Sequence, residues 1–411
     1  MIVYVVATLL ACGLAWAGSR QERKWPWFIA AAIPLTLVSA IRWDVGTDFY
    51  WTYFPAFRAM ECLNLGGTDE LVNEIMGPLF ERLKGGPIDS IPALYANYMH
   101  VLGNQEWGFR QLMEFMSWSG LGFRGIVVVT SLIVGACVFT AIYRQSRSPV
   151  LAIYLYVATS NYFLGLNIIR QYVAIGFALV AVEFIVRRRL WPFLACIAAG
   201  MLFHKTVVLL VPCYLLGRRA IPPWLGFALV AATLGHSSLV EPMALWLMPK
   251  VGLGHYCRYF GPDSDWAKDG FEWFFFAINM SFMIFGAWYW KRAKERSPYF
   301  AVWYGMTVIG TLFLALSGHV PLMKRMNYYF AAPQFFMLPE ILLAESRPAA
   351  RKVLTTLVVV GFTLETAVAV WVFNKNEPLP YGVTCRPDHA WPRVPFASGP
   401  FGWKLPKKIC L

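Results

Sequence analysis

Charge is what this sequence has least of. Asp, Glu, Lys and Arg make up 14% of its 411 residues, against 58% hydrophobic and 17% aromatic, and the mean hydropathy is +0.51. Those values exclude a soluble domain and place the chain among polytopic membrane proteins. It also has no long basic run: the net charge is +13, but the 36 Lys and Arg residues are dispersed, which argues against nucleic-acid binding. No Cys or His spacing resembles a zinc site and the six histidines are scattered, so neither a metal nor a cofactor is expected. Of eight cysteines, Cys12, Cys137, Cys196 and Cys213 fall in apolar runs, as small hydrophobes do. Cys385 and Cys410 lie in a Pro-rich tail, 374–411, where an oxidising compartment would let them bridge; Cys62 with Cys257 is a second possible pair. Finally, no Lys or Arg precedes the apolar run Met1 to Ala17 and a basic loop follows it. That is the reverse of a secretory signal, so a retained first helix is expected.

What is there is a succession of apolar runs. With 1–17 they occupy 25–41, 125–143, 149–166, 170–186, 190–203, 206–217, 222–240, 271–290, 298–316, 326–343 and 353–373. Taken as crossings of about 20 residues each, they predict an all-α polytopic membrane bundle of about twelve transmembrane helices. The bundle is a single transmembrane domain over 1–373, and 374–411 is a tail. Alternate loops carry Arg20, Arg23 and Lys24; Arg144 and Arg147; Arg187 to Arg189; Arg218 and Arg219; Lys291, Arg292, Lys294 and Arg296; Arg347, Arg351 and Lys352, together 17 of the 36 basic residues. By the positive-inside rule these loops face the cytoplasm and both chain ends lie outside, in the bacterial case periplasmic. A single long helix over 190–217 would invert every later loop and put Lys291 to Arg296 outside. A tight hairpin with His204 at its outer tip keeps the charge bias, and Pro212 helps to shorten its second arm. The segment 42–124 holds ten Asp and Glu against six basic residues and is broken at Gly66-Gly67 and Gly85-Gly86-Pro87, which reads as short interfacial helices over the bundle.

On this topology Arg42, Asp44, Asp48, Glu106, Arg170, His204, Lys324 and Arg325 all fall at the outer side. Arg42-Trp-Asp44-Val-Gly46-Thr-Asp48-Phe-Tyr50 follows the second span, and the Gly gathers two carboxylates and a guanidinium into one turn; an interfacial cap with a snorkelling Arg accounts for the same cluster. Asn167, Arg170 and Gln171 share one helical face, polar within an apolar helix. An Arg there must pair or line a wet cavity, so either a ligand or a salt bridge to Asp44 or Asp48 would satisfy it. His204-Lys205 offers an imidazole as base or phosphate donor, or a satisfied core histidine. Lys324-Arg325 with Tyr328-Tyr329 adds two cations and aromatic rings, a combination that also serves as an interfacial anchor. Together the constellations suit an anionic lipid headgroup: cations hold the developing charge of a diphosphate leaving group and a carboxylate or His takes a proton from a sugar hydroxyl.

Arg42-x-x-x-Gly46-Thr47-Asp48-x-Tyr50, Glu106-x-Gly108-Phe109, Asn167-x-x-Arg170-Gln171, Phe203-His204-Lys205 and Arg325-x-x-x-Tyr329 resemble the ordered motifs of the EpsG family of Wzy-type exopolysaccharide and O-antigen polymerases. The resemblance runs from about residue 2 to about residue 345, leaving the final span and the tail outside. It implies a GT-C-like glycosyltransferase in the bacterial inner membrane that joins oligosaccharide repeat units carried on undecaprenyl diphosphate at the periplasmic face, with inversion and without a nucleotide sugar. It implies membrane lipid as an environment, and a chain-length regulator and an export complex as partners. In such a scheme Arg170 with Arg42, Lys324 or Arg325 binds the diphosphate, Asp48 or Glu106 is the base, and His204 is an alternate base or a phosphate donor. Asp44, Lys205 and Tyr329 join the substrate-binding set; Tyr50, Asn167 and Gln171 orient sugars. A ligase moving a finished glycan to another acceptor uses the same chemistry. A flippase would distribute its polar residues through the membrane depth and at both faces, whereas here Glu183 and Glu365 stand alone away from the outer set.

Overall fold

Backbone polar groups have no water to bond in hydrocarbon, so runs this apolar close their hydrogen bonds internally as helices. The computed structural model describes residues 2–82, 89–247, 249–251, 257, 272–320 and 322–372, with 374, 376, 378–379 and 381–383 beyond them. Among the described residues the protein is all-helical apart from one isolated bridge, Trp43 to Gly382. Helices α1 (Ile2–Ser19) and α2 (Trp25–Ile41) come first, and a π-helix (Phe49–Tyr53) leads into α3 (Phe54–Asn64). Then come α4 (Asp69–Arg82), α5 (Ile91–Gly103), α6 (Trp107–Trp118), α7 (Gly122–Gln145), α8 (Pro149–Ala158), α9 (Asn161–Asn167) and α10 (Ile169–Val186). Next are α11 (Leu190–Met201), a 3-10 helix (Lys205–Gly217), α12 (Pro223–His236) and α13 (Val240–Leu247). Last are α14 (Trp273–Trp288), α15 (Trp290–Arg296), α16 (Phe300–Ala315), α17 (Met323–Ala331), α18 (Gln334–Ala344) and α19 (Pro348–Ala367), which runs on as a π-helix to Val372.

Each apolar run expected from the sequence falls on a helix or a helix pair, but not all are built at full crossing length. Among the described residues four, Ile2–Ser19, Gly122–Gln145, Ile169–Val186 and Pro348–Val372, are long and apolar enough to cross a membrane singly. Two bent pairs, α8 with α9 at 53° and α14 with α15 at 80°, bring the number to six. The rest are shorter apolar helices, because Gly, Pro and polar residues break them early: α18 begins after Pro333, and the 190–217 run reverses at His204. Contiguous apolar faces remain exposed, as at Val353, Leu357, Val360 and Leu364 of α19, which is the surface a lipid environment requires.

The basic loops gather at one end. The Phe28 ring meets Tyr143 at 4.9 Å, Arg147 Nη1 donates to the Arg296 carbonyl at 3.0 Å, and Arg188 Nε donates to the Gly217 carbonyl at 3.2 Å. That last bond returns the second arm of 190–217 to the start of the first, so the segment is a hairpin and not one long helix. Glu183, expected to stand alone, is fully buried and takes Arg144 Nη1 at 3.0 Å and Arg187 Nη2 at 2.8 Å, tying α7 to α10. Arg170 lies thirteen residues before it on α10, about 20 Å away by helical rise. The hairpin tip and the helices of 42–121 therefore sit at the opposite end. There α3 to α6 build a small core of their own, with Phe57, Met60, Leu94, Phe109 and Met113 against Phe123 and Ile126 of α7. The beginning of the tail is fastened at this end too: Tyr381 Oη donates to the Val38 carbonyl at 2.7 Å and Trp43 N–H to the Gly382 carbonyl at 2.7 Å. Cys62 and Cys257 are free, so that pair is not bridged, while Cys385 and Cys410 lie outside the described residues.

Candidate functional site

Two glycines shape the backbone of the site. Gly46 adopts φ +98°, and a Cβ there would meet the Asn167 Cα and the Leu166 carbonyl oxygen at 3.1 Å. Only glycine gives both the left-handed turn and the approach to the end of α9. The approach lets Asn167 Oδ1 accept from the Asp48 N–H at 2.9 Å and the Thr47 hydroxyl at 3.0 Å, so the end of α9 holds the Asp48 turn. Gly108 does the same for Glu106. A Cβ there would come within 2.6 Å of Leu202 Cβ and 2.8 Å of its carbonyl oxygen, and the Phe109 N–H donates to that carbonyl at 3.1 Å. The first turn of α6 is thereby fixed against the hairpin tip. Gly108→Ala is expected to destabilise the protein by about 2 kcal/mol through overpacking and to pull Glu106 away from its partners. A thermal unfolding midpoint and activity that both match wild type would refute this reading of the contact.

Glu106 is the hub. Buried before α6, its Oε2 accepts from Arg170 Nη1 at 2.7 Å, and its Oε1 pairs with His204 Nδ1 at 3.0 Å and accepts from the Lys205 N–H at 3.3 Å. Burial works against its charge, but the His204 hydrogen bond and the Arg170 and His204 charges outweigh it and bring the carboxyl down to about 2. Among the described residues His204 Nε2 makes no hydrogen bond, so this ring is oriented by a carboxylate at one nitrogen and available at the other.

Asp48 differs from Glu106. Its carboxylate takes one long hydrogen bond, from Tyr53 Oη at 3.4 Å, and burial raises its pKa above the usual value even though Arg325 and Arg170 stand close enough to oppose the shift. Arg170 lies between the two carboxylates, with its guanidinium 5.5 Å from the Tyr53 ring centroid and 5.8 Å from that of Phe109. A guanidinium has five N–H donors, so the Glu106 bond leaves capacity for an anion.

The remaining residues divide between those that support this cluster and those turned away from it. Gln171 Nε2 donates to the Arg325 carbonyl at 2.7 Å, fixing α17 to α10, and the buried Tyr329 hydroxyl bonds Thr206 Oγ1 at 3.1 Å, fixing α17 to the hairpin. Both are positioning residues. Arg42 is bonded away from this cluster: it donates to Ser39 Oγ at 2.8 Å, Ser131 Oγ at 3.0 Å and the Leu166 carbonyl at 3.4 Å, joining α2, α7 and α9. Lys324 pairs with Glu272 above the Phe275 ring, beside Arg325 in the chain. Asp44 takes φ +63° at the turn, and the Lys205 side chain is exposed while its N–H serves Glu106. Tyr50 lies in the π-helix, with its side chain outside the described residues. Sequence reasoning missed Tyr53, Phe109 as a ring under Arg170, Thr206 and Glu272. A tyrosine five residues after Asp48 shares its face only on a π-helix, so helical spacing could not have flagged Tyr53. Among the described residues no three His, Cys, Asp or Glu side chains gather as a metal site.

No curated protein and no solved structure matches the chain. The model of the EpsG family matches residues 25–383, nearly the whole chain. The match corrects the limits read from the motifs: the final span lies within it and the whole of the first helix lies before it. By that match the chain belongs to the EpsG family.

Proposed function

We propose that this protein is a polysaccharide polymerase, a membrane glycosyltransferase that joins undecaprenyl-diphosphate-linked repeat units. The observation that carries this reading is convergence: Asp48, Glu106, Arg170, His204 and Arg325 come from separate stretches of the chain and meet at the end of the bundle opposite the basic loops. In the reaction the anomeric carbon of the growing chain loses its bond to the lipid diphosphate and gains one to a hydroxyl oxygen of a new lipid-linked repeat, with inversion. The hydroxyl proton passes to Asp48, and the leaving diphosphate is held by Arg170 and Arg325, with Lys324 alongside. Among the three candidate bases the geometry favours Asp48. Glu106 is held ionised by three donors and so orients Arg170 and His204, while His204 in its imidazolium form donates from Nε2 to a phosphate oxygen.

The reading also comprises a GT-C-like bundle of twelve crossings, the shorter helices counted as thinned or hairpin spans. It sits in the bacterial inner membrane with the site and both chain ends periplasmic, beside a chain-length regulator and an export complex. Support comes from the family match and from the gathering of the basic loops at the far end. The test incubates purified protein in nanodiscs with its host's undecaprenyl-diphosphate-linked repeat unit and resolves products by length. A ladder that Arg170→Ala and Asp48→Ala each remove is the expected result. Intact substrate throughout overturns the proposal, and transfer only to a foreign acceptor identifies a ligase.

A further inference from the structure

Beside the cation cluster lies a cavity of about 100 Å³ between α9, α14, α17, α18 and α19. Its wall contains three amides that an apolar bundle has no structural need to bury: Asn279 is 2% exposed, Asn327 3% and Gln334 6%. They are chained, with Gln334 Nε2 donating to Asn279 Oδ1 at 2.8 Å and Asn279 Nδ2 donating to Asn327 Oδ1 at 2.9 Å. Gly310 of α16 makes room for the pair, since a Cβ there would lie 2.5 Å from Asn327 Oδ1. Buried amides are normally satisfied. Among the described residues neither Asn327 Nδ2 nor Gln334 Oε1, the two ends of this chain, makes a hydrogen bond, and neither atom is fully buried, so both open on the cavity.

We infer that this cavity is a saccharide subsite, taking an uncharged sugar of the lipid-linked glycan through the free donor of Asn327 and the free acceptor of Gln334. The inference rests on the polymerase reading and adds to it the place where the sugar is held. A sugar hydroxyl both donates and accepts, as these two amide ends require. Phe275 and Tyr328 supply ring faces for the C–H surface of a pyranose, whereas a lipid chain would leave both amide ends unsatisfied. Among the described residues no Lys, Arg or His lines the cavity and the Glu365 carboxylate does, so the diphosphate belongs outside it. The two sites adjoin: the Lys324 ammonium lies 5.7 Å from the Phe275 ring, and lining residue Asn376 accepts from Asn167 Nδ2 at 3.3 Å, the same amide that holds the Asp48 turn. A sugar next to the diphosphate would therefore reach from the cations into the amides.

The experiment uses the full chain in nanodiscs and two variants that act differently. Gln334→Leu removes the acceptor; Ala331→Phe fills the cavity from α17 and leaves every amide in place. The probe is the lipid-free oligosaccharide released by mild acid from the host's lipid-linked repeat unit, its binding followed by saturation-transfer NMR. Wild type and Asp48→Asn are expected to bind it alike. Each cavity variant should weaken binding about tenfold, roughly the loss of one or two hydrogen bonds, and raise KM for the lipid-linked repeat with kcat kept. Variants that unfold at wild-type temperature and still bind the oligosaccharide as wild type does would overturn the subsite. A wild-type protein that polymerises without binding the free oligosaccharide would overturn the subsite and leave the polymerase standing. Binding without polymerisation would leave the subsite standing and remove the reaction.

Discussion

Arg170→Lys is expected to lower polymerisation at least a hundredfold while the protein still folds. The charge is retained, so any loss must come from geometry. Arg170 meets Glu106 through one nitrogen at 2.7 Å and lies against the Tyr53 and Phe109 rings, which are tilted 58° to each other, with Asp48 near enough to act on its charge. An ammonium can hold Glu106, but it cannot hold Glu106 and grip a diphosphate along a second edge. Donors aimed at charge that develops in the transition state commonly contribute a factor of about 10²–10³ each, which sets the size of the effect. Arg170→Ala should be worse in a second way, since breaking a buried pair costs about 3–5 kcal/mol. Product length and unfolding temperature, measured on both variants, separate the two contributions. If Arg170→Lys gave polymer within threefold of wild type, Arg170 would be a structural partner of Glu106 and not a phosphate clamp.

The sequence made the polar set legible because a charge in an apolar helix stands out against its neighbours. Arg170 was visible for that reason, Asp48, Glu106 and His204 because the topology put them on the same outer side, and the positions of the helices were visible from the apolar runs. Partnership was not. The spacing of Arg170 allowed a bridge to Asp44 or Asp48, and the structure pairs it with Glu106 because Gly108 brings α6 onto the hairpin tip, a packing event between residues almost a hundred positions apart. Arg42 looked like a phosphate ligand, but Ser39 and Ser131 are ordinary small residues in apolar runs whose acceptors matter only once α2 and α7 are side by side. Span lengths were also hidden, since hydropathy marks a run as apolar and does not say where a bend cuts its helix short, as between α8 and α9 and between α14 and α15; the reversal at His204, by contrast, was legible from the charge bias of the loops. The amide chain had a signal that went unread: Asn279 stands inside Trp273–Trp288, an otherwise almost wholly apolar helix, and a polar residue in that setting points to a site.

Asp48→Asn should remove turnover by about 10³-fold, within the usual range for a general base, and leave substrate binding nearly unchanged. The amide keeps the size of the carboxyl and an acceptor for Tyr53, and the turn is held through the backbone N–H to Asn167, which the substitution does not touch. The pH profile separates this assignment from Glu106. A base works only when deprotonated, and burial holds the Asp48 carboxyl above the usual carboxylate value, with the Arg325 and Arg170 charges only partly offsetting it. Activity should therefore fall with decreasing pH through that raised pKa, giving an acid limb that Asp48→Glu retains at a lower rate. Glu106, down at about 2, contributes no limb in the working range. Its contribution is to stability: a depressed carboxylate stabilises the fold above its unfolded pKa of about 4.3, and that stabilisation is lost as the pH falls toward 2. Glu106→Gln should accordingly lower the unfolding temperature at neutral pH and preserve the acid limb in whatever activity remains. An acid limb that vanished in Glu106→Gln and persisted in Asp48→Asn would reverse the two roles, making the carboxylate bonded to Arg170 and His204 the base and Asp48 a supporting charge.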